Sequence, residues 1–346
     1  MNHTIEQKGE TFFLNLRFLL IITVFVGNAI EPLITRMDSL NTLYLWIFSF
    51  HMPLFVLVTG YFAKTSLAGK TGRHVLMQIG MQYVIFQSLY SLLDATIFHV
   101  ADQHRSFFTP YLLLWFLFSH ACWRLMLMFA KRLTAKQQIL IAVILGVLAG
   151  YLPVDGVWLS ISRTFVFFPF FIVGYHFSFE TFLLRFKPWI KATSAFVSIL
   201  LLALFSLWGS NLSAGWLYGS MTYAQLGHEV WYAGVFRIAT YALQLIASIA
   251  FLAFVPMAIG RITDLGRRTL YVFLLHGFII RIADYSQLHE SITNTSGAVL
   301  LIFGAILCTI LLAQPACRRL FKPIIEPSVE GIIRLENLPM RRFFVR

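Results

Sequence analysis

Apolar runs of about twenty residues recur along this chain, most of them closed by a cluster of Lys and Arg, and they leave it few ways to fold. A bilayer core about 30 Å thick is crossed by roughly 20 apolar residues in a helix. With no water in that layer, each span has to satisfy its own backbone hydrogen bonds, which a helix does. Such runs lie at residues 12–34, 40–63, 74–98, 108–130, 137–153, 164–180, 189–208, 231–258, 267–283 and 296–317. An all-α, polytopic membrane helix bundle of about ten transmembrane helices is the expectation. Composition agrees, because a chain 58% hydrophobic and 12% charged carries about half the charge of a soluble domain.

The basic residues orient the bundle. Lys8, then Lys64, Lys70 and Arg73, then Lys131, Arg132 and Lys136 fall in alternate connections. Arg185, Lys187 and Lys191, then Arg261, Arg267 and Arg268, and the run from Arg318 to Arg346 continue the series on the same side. The opposite side is left with Arg36, Arg105, Arg163 and Arg281, while Arg17, Arg124 and Arg237 lie within spans. Cytoplasmic loops carry the excess of Lys and Arg, so both termini are expected in the cytoplasm. The division reads as a leader at 1–11, a membrane domain at 12–321 and a basic tail at 322–346.

A net charge of +12 would suit a nucleic-acid binder only on a polar body. Here the charges punctuate apolar runs, so lipid rather than nucleic acid is the expected partner. Cys122, Cys308 and Cys317 are odd in number and lack metal-ligand spacing, which argues against disulfides and a metal site. The leader MNHTIEQKGE is acidic and amide-rich, and the run behind it contains Arg17 and Asn28. It reads as a first span rather than a cleaved signal.

Ionisable groups at membrane depth cost about 3 kcal/mol or more unless they face protein or water, so they are the candidates for function. Arg17 and Asn28 are eleven residues apart, which returns to within about 20° of one helix face over a rise of about 16 Å. Glu31 shares that face. In FHMPLFVLVTGYF, His51 falls near the midplane, and Pro53 beside it removes a backbone hydrogen bond. A neutral imidazole there could exchange a proton. His120 and Arg124 share a face four residues apart, and His276 sits mid-span in LYVFLLHGF.

Plainer readings stand beside these. Arg17 could snorkel to headgroups, Glu31 could sit at the boundary before Pro32, and an intramembrane His could hydrogen-bond a neighbouring helix for about 1 kcal/mol. His99, His104, His176, His228 and His289 lie where water reaches them and receive no role. The 35 Phe and 8 Trp belong to lipid-facing and interfacial positions. The connection at 209–230, with Trp216, Tyr218 and Tyr223, suits a lid or interfacial segment. Soluble-enzyme motifs such as GxSxG, HExxH and a Walker loop are not found.

LRFLLIITVFVGNAIEPL, FSFHMPLFVLVTGYFAK, LLLWFLFSHACWRL, SRTFVFFPFFIVGYHF and LYVFLLHGFI together resemble the acyltransferase-3 superfamily of ten-helix membrane acyltransferases. The branch they are most similar to is that of fucose 4-O-acetylases and exopolysaccharide acyltransferases. The resemblance covers most of the chain. It implies residence in a bacterial plasma membrane and cytoplasmic acyl-CoA, acetyl-CoA in particular, as donor substrate, with no permanently bound cofactor. It also implies a hydroxyl of an extracellular or lipid-linked glycan as acceptor.

The family pattern places Arg, ten residues, then His on the first helix. Arg17 occupies the first position, and Asn28 stands where the family has His. Asn donates a hydrogen bond but cannot accept a proton as a general base. His51 is therefore the candidate base, with Glu31 behind it, Arg17 the group that engages the CoA, and Asn28 the group that orients the thioester. Trp115, His120, Arg124, Arg163 and His276 are expected to line the substrate path. A transporter for polysaccharide or lipid-linked sugar that has lost the chemistry is the alternative, and a scaffold without chemistry is a third reading.

Overall fold

A computed structural model describes residues 2–99, 106–153 and 158–328. His104, Arg105 and the tail from 329 onward lie outside the described residues.

Every described regular element is helical. The helices are α1 (Asn2–Ile30), α2 (Asp38–Ala63), α3 (Gly69–Thr96), α4 (Trp115–Phe129), α5 (Ala135–Leu148), α6 (Ile161–His176), α7 (Phe179–Arg185), α8 (Pro188–Trp208), α9 (Gly215–Tyr218), α10 (Ala233–Leu252), α11 (Arg261–Gly266), α12 (Thr269–Tyr285), α13 (Thr295–Leu312) and α14 (Pro315–Ile325). Each of the ten apolar runs falls on one of the longer of these. Seven helical stretches are both long and apolar enough to cross a membrane: those of α1, α2, α4, α6, α8, α10 and α13. Among the other three, α5 and α12 are shorter, and α3 carries Lys70, Arg73, His74 and several Gln along its length. The short α7, α9, α11 and α14 fill connections. Residues 2–11 continue α1 as helix.

Local signals set several boundaries. Asn294 caps α13 by accepting from the Gly297 amide at 2.8 Å, Thr134 and Gln137 form a capping box at the start of α5, and Pro188 opens α8 at a position that needs no amide donor. Prolines interrupt α2 at Pro53 and α6 at Pro169, each removing one intrahelical hydrogen bond.

The bundle is layered from the inside out. α1 and α2 are the most enclosed, and α8 and α13 the most peripheral. Phe196, Ile199 and Leu207 on α8, Ile249 on α10, and Leu300 and Phe303 on α13 are each more than 60% exposed. Those side chains form the apolar outer face that lipid would cover. The tightest crossing joins α2 to α6. Gly60 abuts the Phe171 carbonyl and Gly174 abuts the Leu57 carbonyl, the close approach that small residues permit between membrane helices. It fixes His51 on α2 relative to Arg163 on α6.

Candidate active site

Two cavities lie along α1, and they share no lining residue. One, of about 260 Å³, is lined by Arg17 with His120 and Arg124 of α4. The other, of about 650 Å³, is lined by Asn28, Glu31, His51, Trp115 and Arg163. Of the nine candidates read from the sequence, eight therefore face one cavity or the other. The ninth, His276, stands directly behind Asn28 at 3.3 Å.

In the Arg17 cavity the cations are held without carboxylate partners among the described residues. The Arg17 guanidinium lies over the Phe62 ring at 5.5 Å. Arg124 donates to the Ser66 carbonyl from one terminal nitrogen, and its Nε is buried with no partner. His120 likewise keeps a buried, unpartnered Nε2. Buried polar groups are normally paired, so a recess with unspent donors beside a guanidinium suits an anionic or strongly polar ligand.

In the Asn28 cavity the histidine tautomers follow from geometry. His51 Nδ1 lies 2.9 Å from the Ile47 carbonyl one turn earlier. A carbonyl only accepts, so the proton sits on Nδ1 and Nε2 is left as a lone-pair acceptor on a ring that lines the cavity. The Phe48 ring packs on the imidazole edge-to-face at 4.4 Å. His276 is fixed in the same way, with Nδ1 donating to the Val272 carbonyl at 2.8 Å. Its Nε2 must then accept from Asn28 Nδ2. Asn28 is thereby clamped, with its second N–H still available. Across the cavity, the Arg163 guanidinium stacks on Trp115 at 4.9 Å, and its Nε has no partner.

Other groups at this site were not legible in the sequence. The Tyr44 hydroxyl lies 2.8 Å from that of Tyr218, so α2 and the 209–230 connection are tied together at the cavity wall. Asp284 lines the same cavity and lies 3.4 Å from His289 Nδ1. His289 Nε2 in turn is 3.0 Å from the Ala29 carbonyl, so this histidine is a buried strut rather than a solvated one. Of the three aromatics in the 209–230 connection only Tyr218 lines the cavity, while Trp216 and Tyr223 stack on each other at 5.6 Å. Leu112 and Ser160 line the cavity in left-handed backbone conformations, at φ 39° and 48°. Non-glycine strain of that kind clusters at functional sites.

An all-helical bundle with an apolar outer face, and with seven helices long and apolar enough to cross a membrane, fits a multi-pass membrane protein. The family is shown directly: residues 12–314 match the family described as "Acyltransferase domain", and the chain belongs to that acyltransferase-3 superfamily of membrane acyltransferases. No curated protein and no solved structure matches it.

Proposed function

We propose that the protein transfers an acyl group, acetyl in the simplest case, from cytoplasmic acyl-CoA to a hydroxyl of an extracytoplasmic or lipid-linked glycan. The observation that carries this reading is the pair of cavities on one helix. An arginine-lined recess stands at one depth of α1 and a histidine-lined chamber stands about 16 Å further along it.

The division of labour follows from the side chains. Arg17, with Arg124 and His120, meets the polar arm of the donor, and the basic loops at the cytoplasmic side suit its phosphates. The free N–H of Asn28 hydrogen-bonds the thioester carbonyl oxygen and stabilises the charge that develops there. The acceptor hydroxyl oxygen attacks the carbonyl carbon while His51 Nε2 takes the hydroxyl proton. The C–O bond forms, the C–S bond breaks, and the departing CoA thiolate recovers the proton from His51. Glu31, Arg163 and Tyr218 hold the acceptor, with Trp115 as an apolar wall for a sugar ring.

Purified protein supplied with labelled acetyl-CoA and lipid-linked oligosaccharide tests this, reading both acylated product and free CoA thiol. His51→Ala is expected to lower turnover by about 10²- to 10⁴-fold, and Arg17→Ala to raise the KM for acetyl-CoA. If the wild type neither binds CoA nor forms acylated product, the enzyme reading fails. The export reading, which Asn28 in the family's His position favours, then takes its place.

A further inference from the structure

Only Ala313 and Gln314 separate α13 from α14, which opens on Pro315. Arg268 pins this corner by donating from Nε to the Ala313 carbonyl. From there α14 reaches across to α12 and α3. Gln82 Nε2 of α3 donates to the Ile325 carbonyl at 2.7 Å. Glu326, just past the helix, accepts from the Tyr271 hydroxyl at 2.8 Å and from Arg318 at 3.4 Å. Tyr271 lies in the first turn of α12, so this end of α14 sits at the level where α12 starts, directly after Arg267 and Arg268. That is the side the basic connections mark as cytoplasmic.

Seen down its axis, at about 100° per residue, α14 divides into three sectors. Cys317, Phe321 and Ile325 turn toward the bundle, Ile325 fully buried and the other two partly. Leu320 and Ile324 form a second sector about 80° to one side, and they are 71% and 41% exposed. Arg318, Arg319 and Lys322 form a third, about 110° to the other side, and all three are exposed. The exposed apolar sector and the basic sector thus face opposite ways, with protein beside them. A helix lying in the membrane interface on the flank of the bundle satisfies all three sectors at once: acyl chains below it, headgroups above it, the bundle alongside. Lipid reaches this corner, because the outward stripe Leu300, Phe303, Leu307 and Leu311 of α13 runs to the last turn before it.

We propose that α14 lies in the cytoplasmic headgroup layer and holds anionic phospholipid through Arg319 and Lys322, with Arg318 beside them. The helix carries no acidic residue, and among the described residues Arg318 is the one of the three cations that meets a carboxylate. Arg319 and Lys322 therefore present uncompensated charge to the anionic cytoplasmic leaflet. They donate to the lipid phosphate while Leu320 and Ile324 enter the acyl region. A soluble phosphate would meet the same cations and leave both apolar side chains in water, so the geometry favours a lipid. Since α14 is tied to Gln82 of α3 and Tyr271 of α12, bound lipid braces those two helices against each other. α14 lines neither cavity, so this binding can be measured without any acyl transfer.

The experiment follows thermal unfolding of the full chain in an uncharged detergent during titration with phosphatidylglycerol or phosphatidylcholine. Tm is expected to rise with phosphatidylglycerol and not with phosphatidylcholine. In Arg319→Gln/Lys322→Gln the phosphatidylglycerol concentration giving half the rise should increase about 25-fold, roughly fivefold for each cation lost. Both side chains are exposed, so the variant is expected to keep the wild-type Tm in the absence of lipid. Arg132→Gln/Lys136→Gln, which removes the same charge from another cytoplasmic connection, should titrate as the wild type does. Equal responses to the two lipids in the wild type overturn the proposal without any variant, and so does an equal loss of response in the two double variants. Adenosine 3′,5′-bisphosphate is the soluble comparison. If it raises Tm through Arg319 and Lys322 as phosphatidylglycerol does, the face takes a nucleotide phosphate and the lipid assignment is wrong.

Discussion

Gly174→Ala tests whether the α2–α6 crossing sets the geometry of the site, although neither glycine of that crossing lines a cavity. A Cβ at Gly174 would stand 2.7 Å from the Leu57 carbonyl carbon and 2.9 Å from its Cα, with the carbonyl oxygen closer still. All three are backbone atoms, so no side chain can rotate away, and the helices have to part by about 1 Å. Overpacking of this kind costs about 3 kcal/mol, and the better helix propensity of Ala returns about 0.5–1 kcal/mol. The net loss is about 2 kcal/mol, which for a chain of this length lowers Tm by about 3 °C. Parting α2 from α6 also displaces His51 relative to Arg163, and a misplacement of about 1 Å costs on the order of 10²-fold in rate. Thermal unfolding in detergent and acetyl-CoA turnover measure the two effects separately. Gly304→Ala is the control, because nothing lies within 4 Å of its Cβ, and it should be neutral or slightly stabilising. If Gly174→Ala matches that control in both Tm and turnover, the crossing does not hold the site and the reasoning is wrong.

Three further outcomes follow from the same geometry. Arg281 Nε lies 3.1 Å from Asp94 Oδ1, with the Asp94 side chain 2% and the Arg281 side chain 23% exposed. Arg281→Leu leaves a buried carboxylate and should cost about 3–5 kcal/mol, whereas Asp94→Asn, which leaves a cation near the surface, should cost much less by thermal unfolding. His276→Ala releases the Asn28 amide and should lower kcat by about tenfold with little change in KM for acetyl-CoA, the loss of one positioning hydrogen bond, as steady-state kinetics would resolve. Trp115→Leu removes the ring beneath the Arg163 guanidinium, worth about 1–2 kcal/mol at a desolvated site, and should raise the KM for the oligosaccharide acceptor by about tenfold.

The sequence exposes a site where a single helix carries it and conceals it where two helices have to meet. Arg17, Asn28 and Glu31 could be aligned on one face because helical periodicity is a property of one segment, but their division between two cavities, Arg17 in one and Asn28 with Glu31 in the other, depends on the neighbouring helices. The contact between Asn28 and His276 spans 248 residues, and no pattern within either span predicts it. Tyr218 sat in a connection already notable for its aromatics, yet its choice over Trp216 and Tyr223 depends on how that segment folds against α2. His289 looked solvated because it lies between spans, and its burial against Ala29 and Asp284 comes from tertiary packing alone. In a chain with 35 Phe, hydropathy treats alike a ring facing lipid and a ring facing a cavity, as Phe55, Phe116 and Phe273 face the Arg17 cavity.

Asn28→His is the sharpest question about the chemistry, and the structure argues that the change would be accommodated. The Asn side-chain nitrogen and the Nδ1 of a histidine occupy comparable positions on their side chains. His276 Nε2, already an acceptor because Val272 holds the Nδ1 proton, could therefore receive the new Nδ1–H as it now receives the amide. That hydrogen bond would fix the introduced ring with Nε2 unprotonated and available as a second base at the depth of His51. The cavity of about 650 Å³ gives the larger ring room. Acyl transfer is then expected to rise, and hydrolysis of acetyl-CoA without acceptor to rise with it, because a base aimed at the carbonyl also activates water. In His51→Ala/Asn28→His the new ring should recover part of the lost turnover. If Asn28→His folds with an unchanged Tm and neither activity increases in either background, then Asn28 does not stand beside the reacting carbonyl and the placement of the thioester has to be abandoned.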